Sequence, residues 1–177
     1  MLVCGTGLVS FIMPEFNDAT TCRIAAFIQE IGIPVRARDI PERTFFPGMK
    51  IELGELLIDE TRLKHPGDLL HEAGHLAVLT ERQRSEIDGD VGPEGGGELM
   101  ALAWSYAACL HLGLPASVVF HEDSFQGGAE TMIDNFAHGR YLGVPGLQRH
   151  GLTADAKRAA DRGVPPYPAM LAWLRDE

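Results

Sequence analysis

The chain has 177 residues, a formal net charge of −10, 45% apolar and 23% charged residues. That length suits one domain with a real core, the composition suits a globular rather than a disordered chain, and the acidic balance without any Lys/Arg run disfavours a nucleic-acid partner. No apolar run approaches the roughly 20 residues of a membrane span, so no membrane partner is expected; Cys4, Cys22 and Cys109 are widely spaced and odd in number, make neither a disulfide framework nor a zinc ribbon, and fit a reducing cytoplasm.

Leu2 to Met13 is mildly apolar but has no basic n-region and no cleavage site, so a signal peptide is not expected. Met13-Pro14-Glu15 reads as an ordinary protein start. Residues 1–16 are therefore expected to be a loosely held tail or an extension before the true start, and 17–177 a single domain. Asn17, Asp18 and Thr20 offer N-caps, and Ile24, Phe27, Ile28 and Ile31 follow at helical spacing up to Gly32 and Pro34. Residues 35–48 read as irregular, broken by Pro41 and Pro47. Met49 to Leu53 and Glu55 to Asp59 read as two short strands about Gly54. The second of them is a candidate edge strand, able to take an extended peptide or simply to cover the core.

A helix is expected from Pro66 and Asp68 to about Thr80. Inside it stands His71-Glu72-Ala73-Gly74-His75. Histidines at i and i+4 lie on one face, one turn apart, so both imidazoles can reach one metal ion, and Glu72 borders the same ion. This His-Glu-x-x-His pattern is the spacing of zinc peptidases, with the glutamate as general base. Two satisfied core histidines, or a zinc site without catalysis, would also produce it. Gly74 costs about 1 kcal/mol in a helix interior, which makes sense where another element packs very close.

Ser85 to Gly97 reads as a polar, acidic, Gly-rich rim loop without calcium-loop spacing. The next helix is expected from Glu98 to about Leu112, with Glu98, Ala101, Leu102, Ser105 and Cys109 on one face. Most of these are small, as are Ala73, Gly74 and Ala77, so the two helices can approach closely and bring Glu98 to the histidines. Ser117 to Phe120 reads as a short strand or turn, Ala129 to His138 as a helix, and 139–146 as a Gly/Pro loop. Thr153 to Asp161 is expected as a helix capped by Thr153, and Pro166 to Arg175 as a last short helix. The sum is an α+β domain, its helices packed on a small sheet that includes residues around 49–59.

Catalytic zinc takes three protein ligands and keeps one position for water. Beyond His71 and His75 the third is sought among Glu98, the loop acids Asp88, Asp90 and Glu94, and His111, His121, His138 and His150. Glu98 leads, because two histidines and a carboxylate form a known catalytic set.

His71-Glu72-Ala73-Gly74-His75 followed by Glu98-Leu99-Met100-Ala101 on a second helix resembles the gluzincin zinc metallopeptidases, and within them the small bacterial ImmA/IrrE-type proteins. The resemblance covers roughly residues 51–115. It implies a zincin-like fold, Zn2+ held by His71, His75 and Glu98, Glu72 acting on the activated water, and a protein or peptide substrate. It also implies a downstream Tyr or His that stabilises the oxyanion, for which Tyr141, His138 and Tyr106 are the candidates. Two functions follow as expectations: a cytoplasmic zinc metallopeptidase, or a zinc-binding regulatory or interaction protein of the same fold that does not cleave.

Overall fold

The computed structural model describes residues 16–89, 97–124 and 128–176. Expectations that fall on residues 1–15, on Asp90 and on Glu94 lie outside the described residues. Among those described, the chain is α+β: seven α-helices and one three-stranded sheet.

Helix α1 (Ala19–Glu30) starts where Asp18 accepts the backbone N–H of Thr21 at 2.7 Å, and it buries Ile24, Phe27 and Ile28. Strands β1 (Val35–Ala37), β2 (Met49–Glu52) and β3 (Glu55–Ile58) then form a sheet in the order β1-β3-β2. The hairpin β2–β3 turns through Leu53 (φ 49°) and Gly54 (φ 78°), and pairs Glu52 with Glu55 on either side. Two left-handed residues in a two-residue loop match the twist of an antiparallel ribbon. β1 adds in parallel, Val35 opposite Leu56. The expectation that the second hairpin strand lies at an edge is corrected: β3 is central, and β1 and β2 are the edges. β1 forms where irregular chain was expected, because its partner is supplied by residues some twenty positions on, which no local pattern can announce.

Helix α2 (Asp68–Val78) is buried along its whole length. Two helices follow, α3 (Glu81–Glu86), closed by a capping box of Thr80 and Gln83, and α4 (Glu98–His111). Among the described residues the most extensive helix–helix packing is α2 on α4. After a 3₁₀ turn at Ala116–Val118 come α5 (Ala129–Ala137), α6 (Val144–Arg149) and α7 (Ala156–Arg162). Three expectations are revised here. α6 forms inside the Gly/Pro stretch, with Gly143 at φ 85° and its backbone so close to Leu99 that an added Cβ would sit 1.8 Å from the Leu99 carbonyl oxygen. α7 is capped by Asp155 rather than Thr153, whose hydroxyl donates instead to the Ala169 carbonyl at 2.7 Å. The segment 166–175 is not helical: Pro166 and Pro168 interrupt it, and its backbone bonds other elements, Leu171 N–H to Leu152 and Arg175 N–H to Ala77.

One apolar core joins the inner face of the sheet, α1, α2 and α4, with Trp104 fully buried and its indole N–H donating to the Trp173 carbonyl at 2.9 Å. Among the described residues no helix is long and apolar enough to cross a membrane.

Candidate metal centre

The helix that carries the histidines is fixed at both ends. At its start, Gly67 lets the chain pass against Val118, where a Cβ would lie 1.8 Å from the carbonyl oxygen. Asp68, in the first turn, takes a hydrogen bond from His121 Nε2 at 2.8 Å. At its end, Arg84 of α3 donates to the carbonyls of Leu76 (2.9 Å) and Leu79 (3.0 Å), and Arg175 N–H to that of Ala77 (2.9 Å). Of these carbonyls, that of Leu76 also takes the Leu79 N–H at 3.3 Å; the rest of the cap comes from outside the helix.

Gly74 marks the crossing with α4. A Cβ there would lie 2.9 Å from the Ala101 carbonyl oxygen and 3.1 Å from its Cα. Ala101 lies three residues after Glu98, on the same face, so this close approach carries Glu98 to the histidine stripe. The Nε2 atoms of His71 and His75 are 3.1 Å apart, Glu98 Oε2 is 3.2 Å from His75 Nε2, and Glu98 Oε1 is 3.6 Å from His71 Nε2. Four ligands at about 2.0–2.1 Å in a tetrahedron stand about 3.3 Å apart. The three observed edges bracket that value, so the donor set fits zinc in both chemistry and size. His71 and His75 are buried, while Glu98 keeps about half its side chain, 53%, open to solvent. Hydrogen bonding by His71, then by His75, holds the Glu98 carboxyl well below the usual carboxylate range, against the opposing effect of its partial burial.

Glu72 is largely buried, and its carboxylate lies within 4.8 Å of the ligating atoms of both histidines. It borders a small recess shared with Phe46, Met49, Lys50 and Ile51, so it faces the outer edge of β2. The ring of Phe46 lies against His71, centroids 5.9 Å apart.

The other sequence candidates are engaged elsewhere. Tyr141 packs between Phe136 (6.0 Å) and Tyr167 (4.6 Å). His138 is exposed and bonds Asp134 on its own helix. Tyr106 stacks on Phe120 and packs at a tilt against Phe136 in the core, where burial pushes its hydroxyl up. His111 is held by Phe27 and Trp173, and His150 lines a groove between α4 and α6. His65, His121 and Asp123 form a second group with donor atoms within 4.8 Å. Its two rings stack with centroids 3.7 Å apart and planes at 14°. Stacked rings cannot both aim in-plane lone pairs at one ion, and Asp123 is already paired with Lys64 and His65. This second group therefore reads as a polar clamp on the start of α2.

Sequence reasoning missed Asp68, Arg84 and Phe46. Asp68 was readable: on a helix, residues 68, 71, 72 and 75 fall within about 100° of arc. Arg84 reaches α2 from a separate helix and Phe46 lies in an irregular loop, so neither had a signal. Compared with protein-family models, with curated proteins and with solved structures, the chain matches none.

Proposed function

We propose that this chain is a zinc-dependent metallopeptidase with a zincin-like fold, similar to the ImmA/IrrE-type gluzincins. The observation that carries the reading is the triangle of His71, His75 and Glu98 at 3.1, 3.2 and 3.6 Å with the Glu72 carboxylate beside it. His71 Nε2, His75 Nε2 and one Glu98 oxygen would hold the ion. When bound, zinc lowers the pKa of water towards 7 and polarises a carbonyl.

The chain's own residues do the rest. Glu72 accepts the proton of the attacking water and passes it to the leaving amine nitrogen, which needs a carboxylate close to the ion but not ligated to it. In β2, Met49 and Ile51 turn their backbone groups away from β3, towards the side that Glu72 borders; of these, the Ile51 carbonyl takes Gly89 N–H at 2.9 Å and Met49 N–H bonds Phe46. The Met49 carbonyl is then the group on that side that could take the N–H of an extended peptide, the usual way an edge strand holds one.

A zinc-bound interaction protein would need the three ligands but not Glu72, so Glu72 decides between the readings. Glu72→Gln keeps size and hydrogen-bonding capacity but cannot take a proton. It is expected to keep about one zinc per chain and the wild-type melting temperature, while hydrolysis of a peptide library falls by several orders of magnitude, roughly a thousandfold or more. Equal turnover in wild type and variant would remove Glu72 from the mechanism.

A further inference from the structure

Phe45 is 78% exposed, more than any other large apolar residue among those described. It is not isolated. Its ring meets Phe46 edge to face, centroids 4.9 Å apart at 87°, and Phe46 in turn lies on the imidazole of His71 and borders Glu72. The backbone beneath the pair is pinned. The Phe46 carbonyl accepts from Thr44 Oγ1 (2.6 Å) and Met49 N–H (3.3 Å), and Gly48 (φ 77°) threads a gap where a Cβ would be 2.4 Å from Leu63 N. With Phe46 turned in, Phe45 is held out in water by local geometry, although the flanking loop is rich in polar residues that could have stood there. A solvent-facing aromatic joined ring to ring to the metal-binding histidines is continuous with the site, and it is placed where a substrate side chain would arrive.

We infer that Phe45 and Phe46 form an apolar subsite that selects a bulky apolar side chain, aromatic or branched aliphatic, beside the bond to be cut. This rests on the peptidase reading and names the substrate class for it. The recess beneath Phe46 holds only about 10 Å³, room for one water at most, so the selected side chain packs on the outer faces of the two rings rather than under them. Aromatic faces favour aromatic and branched aliphatic partners by area and by ring geometry, and give a carboxylate or a hydrogen-bond-seeking amide nothing.

The test separates binding from cleavage. Zinc-loaded Glu72→Gln protein is titrated calorimetrically with unlabelled, end-blocked alanine hexapeptides carrying Phe, Leu, Gly, Lys or Asp at one central position. The Phe and Leu peptides should bind at least about tenfold more tightly than the others, and adding Phe45→Ala should bring all five within about threefold, with the melting temperature unchanged. Equal binding of the Gly and Phe peptides, discrimination that survives Phe45→Ala, or no binding of any peptide would overturn the subsite. Wild-type hydrolysis is read in parallel. Discrimination without hydrolysis supports the subsite and counts against the peptidase; hydrolysis without discrimination does the reverse.

Discussion

Gly74→Ala adds one carbon at the tightest point between α2 and α4, and the sign of its effect tests the whole arrangement. The new Cβ would lie 2.9 Å from the Ala101 carbonyl oxygen and 3.1 Å from its Cα. Comfortable contact begins near about 3.5 Å, so the helices must part by roughly half an ångström. The opposing atoms are backbone, and no side chain can swing aside. In isolation, alanine favours the helix by about 1 kcal/mol, while overpacking a close contact costs about 1–3 kcal/mol. The net is a loss of up to about 2 kcal/mol, which for a chain of this size is a fall in melting temperature of up to roughly 8 °C. Glu98 sits one turn before Ala101, so the same displacement loosens the 3.2 Å contact with His75. Zinc affinity should weaken by about tenfold, the scale seen when a ligand's support is disturbed. Thermal denaturation of the metal-free protein and competition against a chromogenic chelator measure the two effects separately. A rise of about 2–4 °C with unchanged zinc affinity would mean that only helix propensity had changed, and would refute the close crossing as the device that aims Glu98.

The remaining predictions concern the ligands and the far end of the motif helix. Glu98→Ala should raise the zinc Kd by more than about tenfold while leaving the metal-free fold intact, since the side chain is 53% exposed; wild-type affinity in that variant would send the third ligand elsewhere, with Asp88 the next to test. The double variant His71→Ala with His75→Ala should retain less than about a tenth of the wild-type zinc by elemental analysis, and stoichiometric retention would place the ion at another site. Arg84→Ala removes the side-chain donor from the Leu79 carbonyl and leaves that of Leu76 with the Leu79 N–H alone, and should cost about 1–3 kcal/mol in urea unfolding; an unchanged midpoint would show that the cap contributes nothing.

What could be read from the sequence was whatever depends on local periodicity. His71, Glu72 and His75 are placed by the 3.6-residue turn alone, the hairpin by alternation around Leu53-Gly54, and the approach of Glu98 by small residues facing one another on two helices. What could not be read depends on distant partners. β1 is a strand only because β3 lies beside it. The segment 166–175 carries Met170, Leu171, Trp173 and Leu174 at a spacing that looks helical, yet its backbone bonds Leu152 and Ala77, and Trp173 is drawn to Trp104 and Phe27. α6 hides in a Gly/Pro run because Gly143 buys a backbone contact with Leu99 that has no counterpart in propensity. Around the site the same division holds: Asp68 shares the helical stripe, whereas His121 and Phe46 reach it from turns and loops and Arg84 from the separate helix α3.

The arrangement also argues against two histidines that merely fill a core. A neutral imidazole buried for packing turns one nitrogen to a donor and the other to an acceptor, and its neighbours supply them. Here His71 and His75 turn Nε2 atoms towards each other at 3.1 Å and towards a carboxylate, so that Lewis-basic atoms crowd one point. The Nδ1 of His75 is buried and has no hydrogen-bond partner among the described residues. Such convergence suits a cation, a proton or a metal ion, placed among the atoms, and the fold maintains it with several devices: a glycine at the helix crossing, an arginine at the helix end, an aspartate–histidine clamp at its start. A second carboxylate, Glu72, is held largely buried beside the cluster instead of being replaced by an apolar residue of similar size. A carboxylate in that place can take up and return a proton beside a Lewis acid, which a leucine cannot, and for that reason we prefer the peptidase reading to the binder.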